Sequence, residues 1–173
     1  MSVRRGVFVG LGANLDDPRA QIRAALDAIE ALSGTHVLAV SRLYRSPAWG
    51  PIEQPDYVNA VAELETVLGP EALLEALLAI ERRLGRDRSV SRYGPRRIDL
   101  DLLVDGGTSI ESPGLRVPHP HLAQRAFVLV PLAEIAPDVE VPGIGHVRDL
   151  LARLDPADRA QVRALEAGTV RGE

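Results

Sequence analysis

The stretch that most constrains the fold runs from Arg97 to Asp105. Ile98, Leu100, Leu102 and Val104 alternate there with Arg97, Asp99, Asp101, Leu103 and Asp105. Alternation of period two predicts a strand with one apolar face. On a strand, residues i and i+2 point the same way, roughly 6.5–7 Å apart. On a helix the same pair would diverge by about 200°. Asp99 and Asp101 can therefore act together, and two carboxylates so placed can share divalent cations about 3.5–4 Å apart. A solvated edge strand would show the same two acids. The residues before them decide between the readings: from Arg82 to Arg97 there are seven arginines and one acid, Asp87, in a chain whose net charge is -4. Arginine grips phosphate oxygens with a fork of donors, and aspartate holds the hard cation that neutralises the rest. The segment predicts a site for a metal-bound polyphosphate.

The elements before it follow from pattern. Val7-Phe8-Val9 reads as a buried strand leading into Gly10-Leu11-Gly12-Ala13-Asn14-Leu15. Two glycines after a strand hint at close backbone approach, although the third glycine of a dinucleotide fingerprint is missing. Asp17-Pro18 supplies a helix N-cap and first turn. Ile22, Ala25, Leu26, Ile29 and Leu32 form the apolar stripe of that helix, and Gly34 ends it. Val37 to Tyr44 reads as one strand. The loop from Arg45 to Pro55 holds three prolines and the only tryptophan, Trp49, as either a rigid connector or a ligand lid. Tyr57 to Thr66 is the next strand, with Val58, Ala60, Ala62 and Leu64 on one face and Tyr57 and Asn59 on the other. Gly69-Pro70 opens a helix whose inner side carries Leu73, Leu74, Leu77, Ile80, Glu81 and Leu84, and Gly85 stops it.

The order β-α-β-β-α-β predicts an α+β, ferredoxin-like sandwich: an antiparallel sheet with both helices on one face. The apolar alternates should face the helices. Tyr57, Asn59, Asp99 and Asp101 should then share a polar floor on the other face, roofed by loops, as suits a small-molecule site. The loop from Arg86 to Gly94 is a candidate lid over it.

Composition narrows the chemistry. The length of 173 residues fits one domain, expected over 1–154 with a polar tail, helical or disordered, over 155–173. There is no cysteine, which excludes thiolate metal sites and cysteine nucleophiles and fits a cytoplasmic protein. Every basic residue counted is arginine, so a Walker-type lysine is excluded. The acidic total argues against general nucleic-acid binding, and no apolar run reaches the roughly 20 residues of a membrane span. Nothing in the sequence demands a dimer. Past the central stretch, Gly106-Gly107 is a turn. His119, in Val117-Pro118-His119-Pro120-His121, is either a loop hydrogen-bonder or a phosphate contact. Leu122 to Ile135 is helical at least in part and carries Arg125 and Phe127, Val139 to Val147 is broken by Pro and Gly, and Arg148 to Leu154 is a short amphipathic helix.

Several of these pieces, in order, resemble the 6-hydroxymethyl-7,8-dihydropterin pyrophosphokinase family. They are Gly12-Ala13-Asn14-Leu15, Tyr44-Arg45-Ser46-Pro47, Gln54-Pro55-Asp56-Tyr57-Val58-Asn59, Glu81 with Gly85-Arg86, Arg92 to Leu103, Val117-Pro118-His119-Pro120 and Arg125-Ala126-Phe127-Val128. The resemblance spans about residues 7–137. It implies a ferredoxin-like fold and transfer of the β,γ-pyrophosphoryl group of ATP to the pterin's hydroxymethyl oxygen, releasing AMP, in folate biosynthesis. It also implies two Mg²⁺ on Asp99 and Asp101, with Arg86 and Arg96 stabilising charge at the transferring group. Arg88, His119 and Arg125 would be further ATP contacts, with Glu81, Leu102 and Arg116 at the nucleotide side. Tyr57 and Phe127 would sandwich the pterin, beside Ser46, Pro47, Trp49 and Asn59. Where some members carry tryptophan this chain has Tyr93, and Gly114 and Arg116 depart from the usual residues of their segment. The implied partners are small molecules only, for a monomer with no nucleic acid and no membrane.

Two other functions suit the same element order. A different nucleotide-dependent transferase would be separated by its product, ADP in place of AMP. A module binding RNA or a regulatory metabolite would want a basic, aromatic sheet face without paired acids.

Overall fold

The computed structural model describes residues 5–48, 50–85 and 98–165. In chain order the elements are β1 (Val7–Ala13), α1 (Pro18–Glu30), β2 (Thr35–Val40), β3 (Tyr44–Ser46), β4 (Tyr57–Thr66), α2 (Pro70–Arg83) and β5 (Asp99–Asp105). A hairpin of β6 (Ile110–Ser112) and β7 (Leu115–Val117) follows, then a 3₁₀ turn at Leu122–Gln124 and α3 (Ala126–Ile135). The chain continues through β8 (Glu140–Val141), β9 (Gly145–His146), α4 (Val147–Arg153), α5 (Pro156–Ala160) and β10 (Arg163–Ala164).

The caps form as their residues dictate. The Asp17 side chain accepts from Ala20 N–H at 3.2 Å with Pro18 in the first turn of α1. Gly34 follows α1 at φ 65, and a Cβ there would sit 2.4 Å from Val67, so no other residue fits the turn without a shift.

β4 is the spine of the main sheet. It pairs β1 on one side and both β2 and β3 on the other, and β1 in turn pairs β5, all antiparallel. This is the ferredoxin-like order expected from β-α-β-β-α-β. Strand alternation then sorts the side chains. Val9, Leu11, Ala60, Leu64, Leu100 and Leu102 pack against Ile22, Leu26 and Ile29 of α1 and Leu73, Leu77 and Ile80 of α2. Each such aliphatic side chain contributes about 1.5–3 kcal/mol on full burial, so this face holds the main core.

The opposite face is divided. At one end Phe8, Val61 and Leu103 pack beneath Leu129 and Leu132 of α3 and Val147 and Leu150 of α4. The other end, with Gly10, Gly12, Tyr57, Asn59, Asp99 and Asp101, carries no such layer among the described residues. The roof of this face is thus partly helical, in addition to the expected loops.

Three expectations from the sequence are refined. The strand expected over Val37 to Tyr44 is two strands, both on β4, because the chain turns a corner at Ser41. There Ser41 N–H donates to the Val61 carbonyl at 2.9 Å and Ser41 Oγ accepts from Val61 N–H at 3.0 Å. The alternation of β5 breaks near its end. A register shift opposite Phe8 and Val9 sends Val104 to the second core and not to the side of Leu100 and Leu102, as an extra residue in one strand does. Of the tail expected over 155–173 as helix or disordered, the described part, to residue 165, forms α5 and then β10, which adds to the sheet edge at β3.

Candidate active site

The open end of the second face forms a cavity of about 450 Å³. Its floor is set by strand register. Gly12 pairs with both Asn59 and Asp99, and Gly10 with Asp101, so β1 passes between the acids of β5 and the amide of β4. Neither glycine has a side chain to fill the space. A Cβ on Gly12 would sit 3.2 Å from Asn59 Oδ1, so that position keeps the amide oxygen clear. Asp99 and Asp101 are both partly exposed and both line the cavity.

β5 is the edge strand of the sheet, and an edge leaves backbone groups seeking partners. Here they recruit the site. Leu100 N–H, between the two acids, donates to Glu81 Oε2 of α2 at 2.7 Å. The Leu103 carbonyl accepts from His119 N–H at 2.9 Å. Glu81 is fully buried and lines the cavity beside Leu74 and Leu78. The backbone of β5 thus ties Glu81 and His119 to the strand that carries the carboxylates.

His119 follows the cis Val117–Pro118 peptide bond. Its Nδ1 accepts from His121 N–H at 3.2 Å, which leaves the ring proton on Nε2. Burial, together with the Arg125 and His121 charges and against the pull of Asp99, pushes the imidazole down to about 4. His119 is therefore a neutral donor at ordinary pH. Arg125, just ahead of α3, lies with its guanidinium 5.6 Å from the centre of the Phe127 ring, a cation–π distance.

The other half of the cavity is a slot between Tyr57 of β4 and Phe127 of α3. Its edge is polar: Asn59 Nδ2 donates to Ser46 Oγ at 2.7 Å, and both residues are buried. Pro47 borders the same edge. The end of the proline-rich loop is tied down by Asn14, whose Nδ2 donates to Gln54 Oε1 and the Pro55 carbonyl, each at 2.9 Å.

Of the residues expected from sequence, the cavity brings together Ser46, Pro47, Tyr57, Asn59, Glu81, Asp99, Asp101, His119, Arg125 and Phe127. Leu102 is buried in the main core and Arg116 is exposed on β7, paired in register with Glu111; neither lines it. Trp49, Arg86, Arg88 and Arg96, with Tyr93 and the proposed lid from Arg86 to Gly94, lie outside the described residues. Leu74, Leu78 and Val128 also line the cavity; sequence reasoning did not place them at a site, and they carry no signal beyond ordinary apolar periodicity.

Two hard carboxylate donors on one strand face fit Mg²⁺, which is typically held by one or two carboxylates plus substrate phosphates and keeps several waters. No group of three or more acidic, His or Cys ligands occurs among the described residues. No helix among the described residues is long and apolar enough to cross a membrane.

The chain is similar to known proteins over most of its length. The model of the family described as 7,8-dihydro-6-hydroxymethylpterin-pyrophosphokinase (HPPK) matches residues 8–137. The 2-amino-4-hydroxy-6-hydroxymethyldihydropteridine pyrophosphokinase of Pseudomonas aeruginosa is 53% identical over 146 residues, covering 84% of this chain and 90% of that protein. The enzyme of the same name from Haemophilus influenzae is 43% identical over 156 residues, covering 90% and 96%. Among solved structures, wild-type HPPK-DHPS of Plasmodium falciparum with pterin and p-hydroxybenzoate superposes with a TM-score of 0.69 at 13% identity. It is matched over 88% of this chain but only 42% of its own, so this chain spans less than half of that longer protein, and the likeness speaks for the fold.

Proposed function

This chain belongs to the 7,8-dihydro-6-hydroxymethylpterin-pyrophosphokinase family, and on that premise we propose that it transfers pyrophosphate from ATP to the hydroxymethyl group of 6-hydroxymethyl-7,8-dihydropterin. The products are the pterin diphosphate and AMP. The observation that carries the reading is the division of one cavity into two chemistries. An aromatic slot with a buried amide–hydroxyl edge adjoins a pair of carboxylates flanked by a neutral imidazole and an arginine.

A pterin is flat, so it stacks between Tyr57 and Phe127, and its hydrogen-bonding edge meets Asn59 and Ser46. The triphosphate lies over β5. Asp99 and Asp101 would hold Mg²⁺, two ions in this reading, which when bound offset phosphate charge and draw the nucleotide to the hydroxymethyl group. His119 Nε2–H and Arg125 donate to phosphate oxygens, and a neutral donor serves there without competing with the cations. Arg86, Arg88 and Arg96 join them on sequence grounds. The pterin oxygen attacks the β-phosphorus as the bond from that phosphorus to the α,β-bridging oxygen breaks and AMP leaves. Positioning and charge stabilisation supply the catalysis, as is general for phosphoryl transfer. No covalent enzyme intermediate is needed.

Phosphorus NMR of the protein with ATP, Mg²⁺ and the pterin tests the reading. Pterin-dependent AMP with a pterin diphosphate signal is expected. ADP as the product, or AMP formed regardless of pterin, would overturn it.

A further inference from the structure

Tyr44 and Glu134 touch no part of the cavity, yet they join its two walls. Tyr44 opens β3, is buried, stands two residues before Ser46 and pairs in register with Asn59. Its hydroxyl donates to Glu134 Oε1 of α3. The same carboxylate accepts from Arg42 N–H at 2.9 Å and from Arg42 Nε at 3.1 Å. Glu134 lies two helical turns beyond Phe127, so both side chains leave α3 on one side. Pro131 stands between them. Lacking an N–H, it cannot bond the Phe127 carbonyl, and the helix ladder is interrupted between the half that carries Phe127 and the half that Glu134 anchors. A second cavity of about 250 Å³ is lined by Ser46, Pro47 and Phe127 together with Asp158, Gln161 and Val162. Phe127, half-buried, packs at the margin of the core under α3 and α4, so the Tyr44–Glu134 contact acts beside that packing.

We propose that the Tyr44–Glu134 hydrogen bond, with Arg42, positions the pterin slot by setting the separation between the Ser46–Asn59 edge and the Phe127 wall. Tyr44 and Glu134 are positioning residues; they act through Ser46 and Phe127. Burial and then the Glu134 contact push the Tyr44 hydroxyl above its ordinary range, which keeps it a donor. Burial works against the Glu134 charge, but the bonds from Tyr44 and Arg42 outweigh it and hold the carboxyl below its ordinary value.

The proposal rests on the pterin reading of the slot, and the test separates the two. Tyr44→Phe, Glu134→Gln and the double variant would be compared with the unmodified full chain. Pterin affinity would be read by fluorescence in the presence of a non-hydrolysable MgATP analogue, and nucleotide affinity by calorimetry. Each single variant should weaken pterin binding about three- to tenfold, the size of one ordinary net hydrogen bond, with nucleotide affinity unchanged. The double variant should be no weaker than the weaker single, because both changes act on the same Tyr44–Glu134 contact. Glu134→Ala should bind worse than Glu134→Gln, whose amide oxygen still accepts. Unchanged pterin affinity, with or without a lower melting temperature, overturns the proposal, as do equal losses for pterin and nucleotide. If the unmodified chain binds no pterin, the reading of the slot falls and the proposal falls with it.

Discussion

His119 shows how much chemistry a single side chain can hold. Its sequence context left two roles open, loop hydrogen-bonder or phosphate contact; the geometry shows the first, and the second belongs to the proposed function. The backbone N–H closes the edge of β5, Nδ1 is occupied by His121 N–H, and Nε2 is left as the donor. Because its folded value of about 4 lies below the usual histidine value of about 6.5, protonation opposes folding. The neutral imidazole's contribution is full above about 6.5 and is lost as pH falls toward 4. In a proton NMR titration of the ligand-free protein, the His119 ring resonances should keep their neutral positions from about pH 8 to about pH 5.5. A midpoint near the ordinary value would contradict the burial that defines this side of the site. The acids Asp99 and Asp101, the amide Asn59 and Tyr57 were legible one by one, because strand period fixes which way each points; Phe127, on α3, was placed by resemblance. Leu102 was placed at the nucleotide side by resemblance alone, and strand alternation turns it into the main core. Residue type could not reveal the tautomer of His119, which depends on a backbone contact two residues away.

At the scale of elements, the site is a consequence of β5 being an edge. Glu81 on α2 supplies the acceptor that a neighbouring strand would otherwise provide for Leu100, and it does so between the two carboxylates. Glu81→Ala leaves that N–H without its acceptor and should cost about 1–3 kcal/mol of stability by urea unfolding. It should also weaken MgATP binding more than pterin binding. Glu81→Gln, which retains an acceptor oxygen, should recover most of the stability. Equal stability of the Ala variant and the unmodified chain would mean that the bond does not hold the strand. Periodicity revealed α1, α2, β4 and the start of β5, since each alternates cleanly. It missed the corner at Ser41 and the irregularity near Leu103, where one hydroxyl and one extra residue override the pattern. β8, β9 and β10 are two-residue strands, too short for any period to register.

At the scale of the molecule, the two faces of one sheet do different work. One face holds the core against α1 and α2. The other is packed under α3 and α4 at one end and left open at the other, where β1 contributes glycines in place of side chains. The sequence showed the first division through its alternation. The second depends on where α3 comes to lie, which only long-range packing decides. The central claim is that Asp99 and Asp101 act on the nucleotide's phosphates while the aromatic slot binds pterin separately. The most direct test is pterin-dependent AMP formation by an Asp99→Ala/Asp101→Ala variant across a range of Mg²⁺ concentrations, with pterin affinity measured in parallel. The account predicts a loss of at least about a hundredfold, the scale of a removed electrostatic stabiliser, not recovered at high Mg²⁺, with pterin still bound. AMP formation that survives at a comparable rate would contradict it.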